Sequence, residues 1–171
     1  DGTDVLALDN SNNATFAGAV TATTYNGIPF YSDVANNSMY THDVSGTDST
    51  AQGNTAYGFI AMDAITTGDD NTAFGYAAGS TINSGANNVT IGAQGGDALT
   101  TGSSNTAVGF RALTTETTGS RNVAIGDNAL AALTYDGNGY NVAVGYEAGK
   151  VVLTGIKNTS IGARTMQATT V

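Results

Sequence analysis

His42 is the sole histidine of a chain without cysteine, so a Ser-His-Asp arrangement would have to be built on it, and thiol nucleophiles, metal thiolates and disulfides drop out together. It stands in an irregular stretch, where a solvated side chain is the plainer reading. Asp69-Asp70, with Asp63 and Asp97 in neighbouring segments, could supply oxygen ligands to a hard cation or the carboxylate pair of a glycosidase. Adjacent aspartates before an asparagine are more often turn formers, and a calcium-binding repeat would carry Asp in every unit. Phe59, Tyr76, Phe110 and Tyr146 could stack against a sugar, but they sit next to expected core positions, which favours interior or intersubunit packing. The pairs Thr66-Thr67, Thr100-Thr101 and Thr117-Thr118 invite an ice-binding reading. Adjacent strand residues point to opposite faces, however, and a flat ice-ordering surface needs alternate ones. These grounds assign no catalytic residue, no metal ligand and no cofactor, and no enzyme activity is expected.

What must position these side chains is a repeat. Seven times the chain runs Asn, then Thr or Val, a small residue, a large apolar residue and Gly, starting at Asn54, Asn71, Asn88, Asn105, Asn122, Asn141 and Asn158. The intervals are 17 residues except for one of 19, between Asn122 and Asn141, where Tyr135-Asp136-Gly137-Asn138-Gly139-Tyr140 reads as a turn swollen by two residues. A fixed period of this length marks stacked coils. Gly three residues before most of the asparagines and Gly four after each give two bends per unit, which fits a coil of two short strands and two turns.

Stacking such coils at ~4.8 Å aligns equal positions into columns. The asparagines then form an amide ladder in which each side chain bonds the copies above and below. Residues one and three after the Asn share a face, and we expect the large apolar column, Tyr57, Phe74, Ile91, Val108, Ile125, Val144 and Ile161, to be the core, with Ala56, Ala73, Ala107, Ala124 and Ala143 facing the other way. A column five after the Asn holds the aromatics above, and one eight after it holds Met62, Leu113, Leu130 and Met166. One thin coil cannot hide them all, so association as a parallel homotrimer, side by side or intertwined, burying the Ala face and part of the Leu/Met set, is expected.

Composition agrees with an all-β chain: 23 Gly, one Pro, few charges, and small or β-branched residues in place of good helix formers. Residues 1–30 read as a short β module with a hairpin at Asn26-Gly27. Residues 31–53 read as a connector in which Asn37, 17 before Asn54, starts a degenerate capping coil, and residues 54–171 as a seven-coil parallel β-roll or β-solenoid. The net charge of −9 argues against a phosphate-neutralising surface and hence against nucleic acid. Ten of the fourteen acids precede position 110, and all five basic residues follow it, so the two ends differ in charge. No apolar run is long enough for a membrane-spanning helix, and a start at Asp1 without Met reads as a processed or partial product.

The cassettes Asn105-Thr106-Ala107-Val108-Gly109 and Asn122-Val123-Ala124-Ile125-Gly126 resemble the parallel β-roll of trimeric autotransporter adhesin heads such as YadA. The longer run Gly102-Ser103-Ser104-Asn105-Thr106-Ala107-Val108-Gly109-Phe110-Arg111-Ala112-Leu113 is similar to the repeat arrays of bacteriophage tail fibres, and Asn12 to Gly27 resembles the segment preceding them. The adhesin heads use a shorter repeat, and their stalk and anchor have no counterpart here. The tail-fibre resemblance implies a homotrimer in the virion, in contact with other tail proteins and with a host glycan or protein. Tail fibres of this type often end in a self-cleaving chaperone, and the resemblance implies that either cleavage or truncation removed one after Val171. A bacterial surface adhesin head is the alternative, with a polysaccharide depolymerase or an ice-binding protein behind it. No residue is singled out for receptor contact.

Overall fold

Two demands on the backbone recur in every coil: a sharp bend after a short strand, and close approach of the next coil at that bend. Both fall on the glycine four residues after the Asn. Gly109 has φ +134, and a Cβ there would lie 2.5 Å from the Gly126 carbonyl oxygen of the next coil. A side chain would force the two coils apart, so the period of the glycines is the period of the fold.

The computed structural model describes residues 24–25, 28–29, 31–33, 38–41 and 50–167. The first strands, β1 (Thr24–Tyr25) and β2 (Ile28–Pro29), pair antiparallel on either side of Asn26-Gly27, as the hairpin signal predicts. β3 (Tyr31–Asp33) pairs antiparallel with β4 (Ser38–Tyr40), which opens a parallel series. That series continues through β5 (Thr55–Tyr57), β6 (Thr72–Phe74), β7 (Val89–Ile91), β8 (Thr106–Val108), β9 (Val123–Ile125), β10 (Val142–Val144) and β11 (Thr159–Ile161). β3 to β11 form one nine-stranded sheet in chain order. Equal cassette positions pair throughout, from Tyr57↔Phe74 to Val144↔Ile161, and the 19-residue interval keeps the register, with Ile125 opposite Val144. The chain is an all-β parallel β-solenoid of about seven turns.

Each coil contributes one three-residue strand, not the two expected, and the rest of the coil is turns joined to the next coil by backbone bonds. On the far wall Met62, Gly79, Gly96, Leu113, Leu130 and Gly149 each donate an N–H to the following coil at 2.8–3.0 Å. Ile60 and Met62, and their equivalents in most later coils, hold φ near +50 to +60°, so the winding carries left-handed backbone at non-glycine positions in every turn.

The strand faces are the reverse of the sequence reading. Ala56, Ala73, Ala107, Ala124 and Ala143, with Thr90 and Ser160, point inward and are buried, while residues one and three after the Asn point out. The far wall explains why. Ile65, Ile82, Leu99, Leu133 and Val152, eleven after the Asn, project into the coil together with Met62, Leu113 and Leu130, all buried. These fill the interior and leave the strand room for a methyl group only. Where the eighth position is Gly, a Cβ would meet the core: at Gly79 it would lie 2.7 Å from Ile82 Cδ1, and at Gly96 2.9 Å from Leu99 Cδ1. The Leu/Met column expected to await a partner is therefore intramolecular core, with Met166 packed against its edge.

The connector is continuous with the roll, since β3 and β4 extend its sheet. Its register is one residue off the expected one: Tyr40 pairs with Ala56, which puts Ser38 rather than Asn37 in the ladder position. Asn37 and His42 lie outside the described residues.

Candidate functional site

The asparagine ladder has the form expected, and its bonds run between backbone and side chains of successive coils. Asn105 Nδ2 donates to the Gly119 carbonyl at 2.9 Å and to Asn88 Oδ1 at 3.2 Å, while its own Oδ1 accepts the Asn122 N–H at 3.0 Å. The same pattern joins Asn54 to Asn71, Asn71 to Asn88 and Asn141 to Asn158. At the start of the ladder Asn54 donates its N–H to Ser38 Oγ at 3.1 Å, so a shorter side chain closes the series. Asn54, Asn71, Asn88, Asn105, Asn122 and Asn141 are all buried and only Asn158, in the last coil, is partly open. A buried amide that meets both its donor and its acceptor demands fixes the height of each coil against the next.

The residues expected as core make the exposed surface. Tyr57 is 40% exposed, Phe74 54%, Ile91 38%, Ile125 37% and Ile161 68%, with Val108 and Val144 half-buried between them. Beside this column runs a second from the residues one after the Asn: Thr55, Thr72, Val89, Thr106, Val123, Val142 and Thr159. Together they form a two-column strip of apolar and methyl-bearing side chains along the whole parallel sheet, with no charged residue in either column. Such a face on a rigid sheet fits another apolar face rather than water.

Past the glycine bend lies the aromatic column, also at the surface: Phe59, Tyr76, Phe110 and Tyr146 are all exposed, contrary to interior packing. Tyr57 stacks on Phe74 with ring centroids 4.9 Å apart and Phe59 on Tyr76 at 6.3 Å, nearly parallel in both pairs, so the first two coils carry a four-ring patch. Toward the other end the chemistry becomes ionic. Glu147 accepts from Lys150 Nζ at 2.6 Å and from Arg164 Nε at 3.2 Å, and the Arg164 guanidinium lies 5.4 Å from the Tyr146 ring centre. The Lys150 ammonium, followed by Gln167 and Arg164, holds the Glu147 carboxyl below the usual glutamate range.

The other candidate residues serve the winding. Asp69 Oδ1 accepts the Gln52 N–H at 2.8 Å and Asp70 has φ +56, the roles of turn formers. Asp97 Oδ1 accepts from Thr114 Oγ1 at 2.6 Å. Thr66 and Thr100 donate their hydroxyls to the Asn83 and Thr117 carbonyls of the following coil, an internal use at odds with ordering water outside. Among the described residues no group of three or more His, Asp or Glu could hold a metal ion, and no helix is long and apolar enough to cross a membrane. The chain matches no protein-family model, no curated protein and no solved structure.

Proposed function

We propose that the chain is a structural and adhesive segment of a trimeric phage tail fibre, in which three parallel copies pack through the strip that starts at Tyr57 and ends at Ile161. The observation that carries this reading is that strip: seven large apolar side chains in file on the outside of a rigid sheet, in a molecule whose own core is already filled. The sequence-level expectation of association through the alanine face falls, because that face is interior. The taper of the strip favours parallel copies. Its first two members are aromatic and the rest are Ile or Val, so only a parallel arrangement sets large residues against large and small against small. The copy number of three and the virion setting rest on the resemblance of the cassettes to tail-fibre arrays. The role is mechanical: a hydrogen-bonded stack, tripled, resists bending and carries weak host contacts in many copies.

Light scattering on the purified chain is expected to give three times the mass of one chain. Ile91→Asp combined with Ile125→Asp is expected to give a folded monomer with the same β circular dichroism. A wild-type monomer at concentrations well above micromolar would overturn the reading. Gold-labelled antibody raised to the chain should decorate virion tails; decoration of bacterial cells in the absence of phage would move the assignment to a surface adhesin.

A further inference from the structure

The swollen turn after Leu133 leaves a gap in the inter-coil bonding, and a single buried side chain fills it. At this corner the regular coils share one pattern, in which the carbonyl twelve after the Asn accepts N–H groups from the preceding coil. The Asn83 carbonyl takes those of Thr66, Thr67 and Gly68 at 2.9–3.2 Å, and the Thr100 carbonyl takes those of Asn83, Ser84 and Gly85 at 2.9–3.3 Å. The Thr117 carbonyl takes those of Thr100 and Gly102 at 2.8 and 3.4 Å, and the donors of the step after it are on Thr117 and Gly119, whose acceptor by this rule is the carbonyl of Thr134. They turn instead to Glu116 Oε1, at 3.0 and 2.8 Å, while Glu116 Oε2 accepts the N–H of Tyr135 at 3.2 Å.

Glu116 occupies the eleventh position after Asn105, where the other described coils place Ile65, Ile82, Leu99, Leu133 and Val152 in the core. It is fully buried. A carboxylate in an apolar column is destabilising unless its oxygens are met, and here three backbone donors meet them. The one coil with a charged residue in this column is the coil that faces the 19-residue interval. Counting from both sides of the turn, Asp136 and Gly137 are the two extra residues, and Asn138 takes the place held elsewhere by Gly68, Gly85, Gly102, Gly119 and Gly155.

We propose that Glu116 is a positioning residue whose carboxylate replaces the backbone carbonyl lost to the insertion and thereby holds residues 135–140 as a fixed outgrowth on the rim. The outgrowth is tied at further points: Thr118 Oγ1 donates to Asp136 Oδ1, Ser120 donates its N–H to the Gly137 carbonyl at 2.7 Å, and the Arg121 guanidinium lies 5.7 Å from the Tyr140 ring centre. It displays Asp136, Asn138 and Tyr140 to solvent at the one corner where the repeat departs from its period. The inference is independent of how many copies assemble.

The test is a double-mutant cycle on the full chain. In the natural background, Glu116→Leu should raise the exchange rates of the Thr117, Gly119 and Tyr135 amides by at least ~10-fold, with Asn83, Ser84 and Gly85 unaffected. Glu116→Gln keeps one accepting oxygen and should release the Tyr135 amide alone. Deleting Asp136 and Gly137 together with Asn138→Gly restores a 17-residue coil, and in that background Glu116→Leu should raise the melting temperature rather than lower it. If Glu116→Leu fails to fold in the natural background, the shortened form carrying it must fold. Unchanged amide protection, a melting shift of the same sign in both backgrounds, or failure of the shortened form to rescue the fold would overturn the proposal.

Discussion

At the scale of the residue, the solenoid depends on two side-chain types whose demands differ. Asparagine is needed because each coil leaves an N–H and a carbonyl facing the interior at the ladder, and only a short amide meets both. Asn105→Ala would strip the Asn122 N–H of the acceptor Oδ1 and the Gly119 carbonyl of the donor Nδ2, both buried. The expected loss is roughly 2–6 kcal/mol, from two unsatisfied groups at about 1–3 kcal/mol each. Asn158→Ala, at the partly open last rung, should cost under about 1 kcal/mol because water can replace the amide there. Urea denaturation of the two variants side by side checks the contrast, and equal losses would remove the ladder as a source of stability. Glycine is needed for a different reason. Gly109→Ala places a methyl group 2.5 Å from the Gly126 oxygen at a φ of +134, so a loss of about 3 kcal/mol or more is expected, against near neutrality for a typical exposed Gly→Ala change. Glu116 adds a dependence on pH. Burial pushes its carboxyl above the usual glutamate range, against the pull of the Gly119, Thr117 and Tyr135 N–H groups, and Asp136 adds to the rise. The folded chain thus holds this proton more tightly than the unfolded one. The associated stability is full below the unfolded value of about 4.3 and is lost as pH rises through the raised folded value. The melting temperature of the wild type minus that of Glu116→Gln should therefore fall between pH 4 and neutrality; a flat or rising difference would contradict the direction.

At the scale of the element, the coil was legible in the sequence and the facing of its strand was not. The period is written in Asn and Gly, which answer to backbone geometry that nothing else can satisfy, so Asn54 to Asn158 and Gly58 to Gly162 mark every turn without ambiguity. Facing is a different problem. A strand of three residues gives a single alternation, and Thr-Ala-Val can be phased with either the Ala or the flanking pair inside. Size suggested the larger residues, Tyr57 and Phe74 among them, but the interior volume is decided by the opposite wall. That wall, Ile65, Ile82, Leu99, Leu133 and Val152, also recurs at coil spacing, yet it is set among Thr, Ser and Gly with no alternation of its own, and Glu116 interrupts the column midway. The exposed strip was consequently named by residue in the sequence but assigned to the wrong side of the sheet. Ala107 and Val108 test the corrected facing directly. Ala107→Leu should overpack the interior and unfold its coil, whereas Val108→Leu should leave the unfolding free energy of the isolated chain within about 1 kcal/mol of wild type, as urea denaturation would show. The opposite ranking would restore the original phase.

At the scale of the whole molecule, the filled core and the open strip have to be considered together. A stack of thin coils is held by nearest-neighbour terms, and its ends are weaker than its middle. Among the described residues one end of the sheet is extended by β4, parallel to β5 with the buried Tyr40 opposite Ala56, and then by β3, antiparallel to β4, while at the other end β11 carries Ile161 at 68% exposure. Burying the strip between copies would add stability to every coil at once, and would couple folding to association. A coupled system of this kind melts at a temperature that rises with chain concentration, because mass action favours the associated folded state. Wild-type chain is expected to melt several degrees higher when its concentration is raised ~100-fold, whereas the Ile91→Asp, Ile125→Asp variant should melt at one temperature throughout. A wild-type melting temperature independent of concentration would mean that the strip stays open to solvent in the folded molecule, and the apolar file from Tyr57 to Ile161 would then need an occupant other than a second copy of the chain.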